Sequence, residues 1–305
     1  MTDFGADHSY SGAAKKLREH YGIDVPESGV RNITLHHAER MHTQQEDIIE
    51  PLKTKGCPIV IAQADGCMLP IVTIGEADGD KRKQRTLHWK EAILSLAHPL
   101  GSTSPQFAVT FGVSVDEAGQ SLFNCAVAAG FGEQTYLHSV GDGATWIANQ
   151  LEKQFGEQGH YLIDFYHVCE YLSDAAKACS GVISNSFWIE RQKNLWKNNE
   201  LNVVLTNLKP YIENEDTPDS NAPVRACHRY LSNRVTQLDY KSAIEKGLPI
   251  GSGEIESAHR YIIQRRLKLP GAWWKAANAE TMLTLRTVRA NGKWEDYWKT
   301  SAIAA

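Results

Sequence analysis

"IVIAQADGCMLP", residues 59–70, decides how the rest of the chain is read, through the pair Asp65-Gly66 near its middle. "CPIVIAQA" (57–64) and "MLPIVTI" (68–74) have the apolar, β-branched composition of strands. An Asp-Gly pair between two such runs is a strong hairpin signal. The pair returns as Asp142-Gly143 in "HSVGDGATWI" (138–147), again after a strand pattern, "TYLHSV". Each pair alone reads as a turn. A third acid opens a helical pattern in "LPIGSGEIESAHRYIIQRRLK" (248–268), and two strand-end carboxylates with one helical carboxylate can converge at one edge of a sheet. Such a cluster repels itself unless a divalent cation sits in it.

Glu254 and Glu256 are two residues apart, about 200° around a helix, so only one can face such a pocket. Glu256 shares a face with Arg260 and Ile263, which predicts that it lies on the packed side. Glu254 has a sufficient role in the first turn, where a carboxylate meets the positive end of the helix dipole. Glu256 is therefore the candidate, although with Gly253 as N-cap it also fills a position where Glu simply stabilises a helix.

Around these acids the chain reads as a helical head, a β-rich middle and a long helical end. "GAAKKLREHY" (12–21) places Ala14, Leu17 and Tyr21 at helical spacing, and "VPESGVRNITLHHAERM" (25–41) does the same with Val30, Ile33, His37 and Met41. Gly22 and Pro26 punctuate them as a helix-turn-helix would be punctuated. "QFAVTFGVSV" reads as a strand, "SLFNCAVAAGF" as a short helix and "HYLIDFY" as a further strand. "VCEYLSDAAKACSGVI", "FWIERQKNLWKNNELNVVLTNL" and "APVRACHRYLSNRV" follow as helices, with "IENEDTPDSNAP" a loop on composition.

At 305 residues and 42% apolar, the chain can bury a sizeable core. No apolar run approaches the 18 or so residues of a membrane span, and the polar start "MTDFGADHSYSG" does not read as an export signal. Cysteines 57, 67, 125, 169, 179 and 227 lack metal-ligand spacing and read as reduced, mostly buried thiols. The net charge is −4, but His259 to Lys299 carries +6, and a second basic knot, "DKRKQRTLHWK", spans 80–90. Either is a solvated face or a phosphate-binding surface; Trp273, Trp274, Trp294 and Trp298, interleaved with the bases, suit the latter. A serine hydrolase is excluded for want of a GxSxG elbow, and "GSG" lacks the lysine of a P-loop.

In order, "ADG", "GDGATWI" (141–147), "DFYHVCEYL" (164–172), "GSGEIESAHRYIIQRRLKLPGAWW" (251–274) and "NAETMLTLRTVRANGKW" (278–294) resemble the insertion-sequence DDE transposases of the Kra type, relatives of the Mutator-like transposases. The similarity runs from about residue 57 to the end and extends to the helical head. It implies an α/β fold with a ribonuclease H-like catalytic core, a helical insertion, a helical N-terminal head and a basic helical C-terminus. The implied divisions are a head at 1–55, a core at 56–168, an insertion at 169–249 and the final acid with basic helices at 250–305. It implies Asp65, Asp142 and Glu256 as catalytic residues holding two Mg2+ (or Mn2+) ions, and an Asp/Cys-x-x-His element near the site, matched here by Asp164 and His167. From the residues alone, Asp164 reads as a helix cap and His167 as a packing residue.

The implied activity is transposition: cutting the element ends, then joining the freed 3′-OH to target DNA. A transposase-derived DNA-binding protein that no longer cuts, and a two-metal nuclease without strand transfer, are the alternatives. The expected partners are double-stranded DNA, the terminal inverted repeats and target DNA, with a homodimer or higher oligomer on the DNA and no membrane. The expected location is the bacterial cytoplasm, on the nucleoid. Arg31 is the candidate base reader of the head, near Glu27 and Asn32, and Arg260, Arg265, Arg266 and Lys268 are candidate DNA contacts behind the catalytic helix. The head has seven bases against nine acids over residues 1–55, so affinity is expected to come mostly from the C-terminal stretch.

Overall fold

The computed structural model describes residues 1–44, 53–75, 84–179 and 184–303, with side chains described to residue 300. In chain order the elements begin with helices α1 (Thr2–Asp7), α2 (Tyr10–Tyr21) and α3 (Glu27–Thr43). Strands β1 (Ile59–Ile74), β2 (Arg85–Pro99) and β3 (Gln106–Phe111) follow, then α4 (Val115–Ala128), β4 (Tyr136–Gly141), α5 (Thr145–Phe155) and β5 (Gly159–Ile163). Helices α6 (Phe165–Cys179), α7 (Asn185–Lys197), α8 (Leu201–Leu208), α9 (Pro223–Ser232) and α10 (Tyr240–Glu245) come next. The chain ends with α11 (Gly253–Ala258), a π-helical stretch (His259–Gln264), α12 (Arg265–Leu267), α13 (Ala276–Ala290) and α14 (Trp294–Ile303). No helix among the described residues is long and apolar enough to cross a membrane.

Two compact units are formed: Met1–Thr135 together with Gly253–Ala305, and Tyr136–Ser252. In the first, β1 pairs antiparallel with β2 from Val60↔Pro99 to Ile74↔Arg85, and β2 with β3 from Ala92↔Phe111 to Ala97↔Gln106. This corrects the reading of Asp65-Gly66 as a turn between two strands. The pair lies inside one continuous strand, with Asp65 opposite Leu94 and Gly66 opposite Ile93. A long ladder of backbone hydrogen bonds overrides the local preference of the dipeptide. Gly66 is used for space, since a Cβ there would lie 2.4 Å from the Glu91 carboxylate.

The inner half of β2 was not legible as a strand. From Ala92 to Ala97 every residue is buried, so both faces are covered and no alternation is left to read. The basic knot at 80–90 falls partly outside the described residues; its last part, Arg85 to Lys90, is the start of β2.

The head does not stand apart. Ala6, Ala38 and Met41 lie in the same core as Leu69 and Leu94 of the sheet and Met282 of α13. A smaller cluster of Ala13, Leu17 and Val30 joins α2 to α3, and Gly22 ends α2 in the left-handed conformation at φ 67°. The two helices are where the sequence puts them, but the buried stripe of α3 is Val30, Thr34, Ala38 and Met41. Ile33 and Tyr21, expected on buried faces, are exposed.

In the second unit β4 and β5 are parallel, from Leu137↔Gly159 to Gly141↔Ile163, with α5 as the crossover. Phe165, Trp196 and Tyr240 pack edge to face or tilted at 5.1 to 5.9 Å between ring centres and tie α6, α7 and α10 together. The run 187–208, read as one helix, is two: Asn199 adopts φ 61° between α7 and α8, a conformation asparagine tolerates better than most residues. With antiparallel strands in one unit and parallel strands in the other, the chain is mixed α/β.

Candidate active site

In the first unit, Asp65 sits in β1 with its side chain 42% exposed. Its Oδ1 accepts the Gly66 amide at 2.8 Å. The buried His259 places Nε2 3.1 Å from the Asp65 carbonyl oxygen and 3.4 Å from Oδ2. Both neighbours of Nε2 are acceptors, so that nitrogen carries the proton. Burial lowers the His259 pKa, against the opposing pull of the Asp65 charge, and favours a neutral ring.

His259 reaches Asp65 from the π-helical stretch after α11. The widened turn leaves carbonyls at Tyr261 and Ile262 to which the buried Arg286 guanidinium donates, with 2.9 Å from Nε to the Ile262 oxygen. Arg286 also pairs with Asp7 and donates to the Ala6 carbonyl at 3.2 Å. At the other end of α11, the Ile255 amide donates to the buried Gln63 Oε1 at 3.0 Å. The helix is thus fastened to β1 at Gln63 and again at Asp65, and Glu256 lies on the turn between the two fastenings.

Ile255, Ala258 and Ile262 form the buried stripe of this segment, and Glu256 is exposed beside the exposed Arg260. The expectation that Glu256 occupies the packed side is corrected: the stripe runs one residue away from it. Helix α11 also starts at Gly253, one residue before the point implied by Gly253 as N-cap. Sequence reasoning missed His259, although it continues the stripe at i+4 from Ile255, and a histidine on an apolar face was the available signal.

Glu254 is engaged elsewhere. Its Oε2 accepts from Nε2 of the buried His98 at 2.8 Å, while His98 Nδ1 donates to the Pro99 carbonyl at 2.9 Å. Two donating nitrogens make an imidazolium, and the Glu254 hydrogen bond raises the His98 pKa above 6.5 while the same bond lowers that of Glu254 below 4.5. His98 then adds stability that is complete below 6.5 and is lost as pH rises through its folded value. The Glu254 share is present above 4.5 and is lost on acidification. The Tm gap between the protein and its His98→Gln variant should therefore be widest between about pH 4.5 and 6.5 and narrow by pH 9. A gap constant with pH in thermal melts would refute the pairing.

In the second unit, Asp142 follows β4 and is exposed. The turn is a strand-to-helix turn rather than a hairpin: Asp142 Oδ1 accepts the Ala144 amide at 2.8 Å, at the start of α5. Gly143 has φ 89°, and its amide donates to the Tyr161 hydroxyl at 3.0 Å. Tyr230 of α9 donates its hydroxyl to the Asp142 carbonyl at 3.1 Å, and a Cβ on Gly143 would lie 2.1 Å from that hydroxyl. Burial pushes the Tyr230 pKa up to about 12, which keeps it a donor.

Asp164, 4% exposed, is saturated by donors. Its Oδ1 accepts the amides of Tyr166 at 2.6 Å and His167 at 3.0 Å, capping α6. Its Oδ2 accepts the Ser252 amide at 2.6 Å and hydroxyl at 2.5 Å. A carboxylate so committed is a cap, as its place in the sequence suggests, and a loop anchor. His167 packs against Tyr171 and Tyr230, with Nδ1 3.6 Å from Glu170.

Of the expected DNA contacts, Arg31, Arg260, Arg265 and Lys268 are exposed. Arg266 is not: it is 2% exposed, donates from Nε to the Gly5 carbonyl at 2.9 Å, and lies over the rings of Tyr10 and Trp274. Its planar fork serves the packing of α1 on α12 and is unavailable to a phosphate. Asp65, Asp142 and Glu256 offer the hard oxygen donors that suit Mg2+. Among the described residues, no group of three or more His, Cys, Asp or Glu side chains is arranged to hold a metal ion. All six cysteines are free thiols.

No family model matches the chain. A stretch of 171 residues is 26% identical to a Streptococcus gallolyticus protein described as "UPF0236 protein in vanSb 3′ region", covering 55% of this chain and 36% of that relative. The chain is thus distantly and partially similar to a protein well over its own matched length, whose description states a gene position and no chemistry.

Proposed function

We propose that the chain is a DDE-type transposase of an insertion sequence, acting on double-stranded DNA at terminal inverted repeats and joining the cut ends to target DNA. The observation that carries the reading is the path of the chain around its acids. Three antiparallel strands, a helix and a parallel strand–helix–strand follow one another, as in a ribonuclease H-like core. Asp65 lies in the first strand, Asp142 just after the fourth, and Glu256 on a helix that follows the run of helices and is fastened to the first strand at Gln63 and Asp65. The partial likeness to the UPF0236 protein neither adds to nor opposes the chemistry.

In this reading Asp65, Asp142 and Glu256 would hold two divalent cations, which would supply charge stabilisation to an in-line phosphodiester displacement. His259 donates Nε2–H toward Asp65 and fixes its orientation. Tyr230 and Tyr161 hold the backbone at Asp142 and Gly143 so that the carboxylate stays at the surface. The chain would act as a dimer or larger oligomer on DNA, with Arg31 reading bases from the exposed start of α3.

The test is incubation of the protein with Mg2+ and duplexes carrying the DNA that flanks its gene, searched for paired inverted repeats. Nicks at the repeat boundary followed by strand joining support the reading. Nicks without joining indicate a nuclease, and binding without nicks an inactive derivative.

Arg265 and Lys268 are assigned to phosphates. Neutralising both should weaken binding to all sequences and lower the slope of log K against log salt by about 0.9 per lost contact. Arg266→Ala should reduce thermal stability with no such specific change of slope. An unchanged slope in the Arg265/Lys268 variant, measured by fluorescence anisotropy, would return these residues to a solvated face.

A further inference from the structure

The start of β2, "RTLHWK", alternates in the manner of a half-buried strand, with Leu87 and Trp89 on one side and Thr86, His88 and Lys90 on the other. Its apolar side is nevertheless uncovered: Leu87 is 51% and Trp89 56% exposed. Across the ladder Trp89 faces Pro70, and Leu87 faces Val72. Trp273, itself 39% exposed, meets Trp89 with ring centres 6.0 Å apart and planes inclined at 57°.

Trp273 is held where it is. The next residue, Trp274, bridges to the outer stretch of β1, with the Val72 amide donating to its carbonyl at 2.8 Å and its own amide donating to Pro70 at 3.1 Å. The Trp274 indole is buried and donates to the Leu267 carbonyl at 3.0 Å. The fold thus pins the backbone beside Trp273 and leaves its ring in solvent. Arg85 shares the face of Leu87 and Trp89, and Lys275 and Lys268 flank the Trp273 segment, all three exposed. The acid nearest in register is Glu91, opposite Met68.

We propose that Trp89 and Trp273 form a stacking platform for unpaired bases of single-stranded DNA, with Arg85, Lys268 and Lys275 meeting its phosphates. The proposal rests on the DNA-substrate reading above and adds the form of DNA engaged at this face. Flat rings bordered by cations match the two faces of a single strand, its bases and its polyanionic backbone. In a duplex the base faces are already stacked and cannot use the indoles. Because the pair is prepositioned, little side-chain ordering opposes binding. Trp294 and Trp298 are partly buried against the core and lie outside the platform.

The probe is oligo(dT) carrying one 5-iododeoxyuridine, used with the full chain bearing Asp65→Asn in EDTA, so that neither metal nor cleavage enters. Irradiation should crosslink Trp89 or Trp273, identified by peptide mass spectrometry. Trp89→Ala and Trp273→Ala should each weaken oligo(dT) binding about tenfold and change blunt-duplex binding by less than about twofold, while Trp89→Phe retains most of the affinity. Crosslinks confined to other residues, or alanine variants that bind oligo(dT) normally, overturn the proposal. So does a Trp89→Ala chain that sediments as a monomer where the parent is a dimer, since the face would then join two copies. Catalysis and stacking fail separately: an inactive protein can still crosslink at Trp89, and an active one can fail to.

Discussion

Replacing Arg286 by methionine should cost about 3 kcal/mol or more of stability, a fall in Tm on the order of 10 °C. Its guanidinium is buried and serves Asp7 and the carbonyls of Ala6, Tyr261 and Ile262 at once. Burial lowers its pKa most, the Asp7 charge and hydrogen bond oppose that, and the charges of Arg289 and Arg265 add to the lowering. Methionine fills similar volume but leaves three carbonyls without their donor and Asp7 with Arg289 as its remaining partner, and unmade bonds at buried groups cost their full desolvation. Arg286→Lys should recover only part of the loss, because an ammonium cannot reproduce the planar fork. The π-helical turn and the seat of His259 depend on the same contacts, so the variant should also lose cleavage. An Arg286→Met protein with the parent Tm would show that the network contributes nothing.

The second large effect is on the chemistry. Asp65→Asn, Asp142→Asn and Glu256→Gln should each slow strand cleavage in Mg2+ by about a thousandfold or more, some 4 kcal/mol in the barrier. DNA binding should persist in each, because the role proposed for the lost groups is to hold metal and not phosphate. Glu254→Gln, two residues from Glu256, should leave cleavage nearly intact, since Glu254 answers His98. The measurement is single-turnover cleavage of a labelled repeat-end duplex, and an essential Glu254 with a dispensable Glu256 would reverse the assignment.

The sequence was most readable where a property is local. Gly22 after "KKLREHY" ends its helix by its own chemistry. Asp164 as a cap was visible for the same reason. Properties set by distant partners were not visible. Asp65-Gly66 carries a turn signal that β2 overrules, and the inner half of β2, Ala92 to Ala97, hid itself by being covered on both sides. Arg266 in "QRRLK" is indistinguishable by composition from Arg265, yet Gly5, Tyr10 and Trp274 bury one and leave the other in water. Glu256 lies one residue off the packed face; His259 holds that face at the i+4 spacing from Ile255, while its contact with Asp65 depends on a π-turn that spacing does not encode.

Ala6, Ala38 and Met41 belong to the core of the first unit, so deleting residues 1–50 would open that core. Arg31→Ala, at an exposed position on α3, is the cleaner probe of sequence discrimination.

The central claim is that Asp65, Asp142 and Glu256 together hold divalent cations. Anomalous diffraction from crystals of the full chain bound to repeat-end DNA and soaked in Mn2+ tests it most directly. The claim predicts anomalous peaks in contact with carboxylate oxygens of all three residues, lost in the Asp65→Asn crystal. Peaks elsewhere, or three carboxylates free of ion at saturating Mn2+, would contradict it.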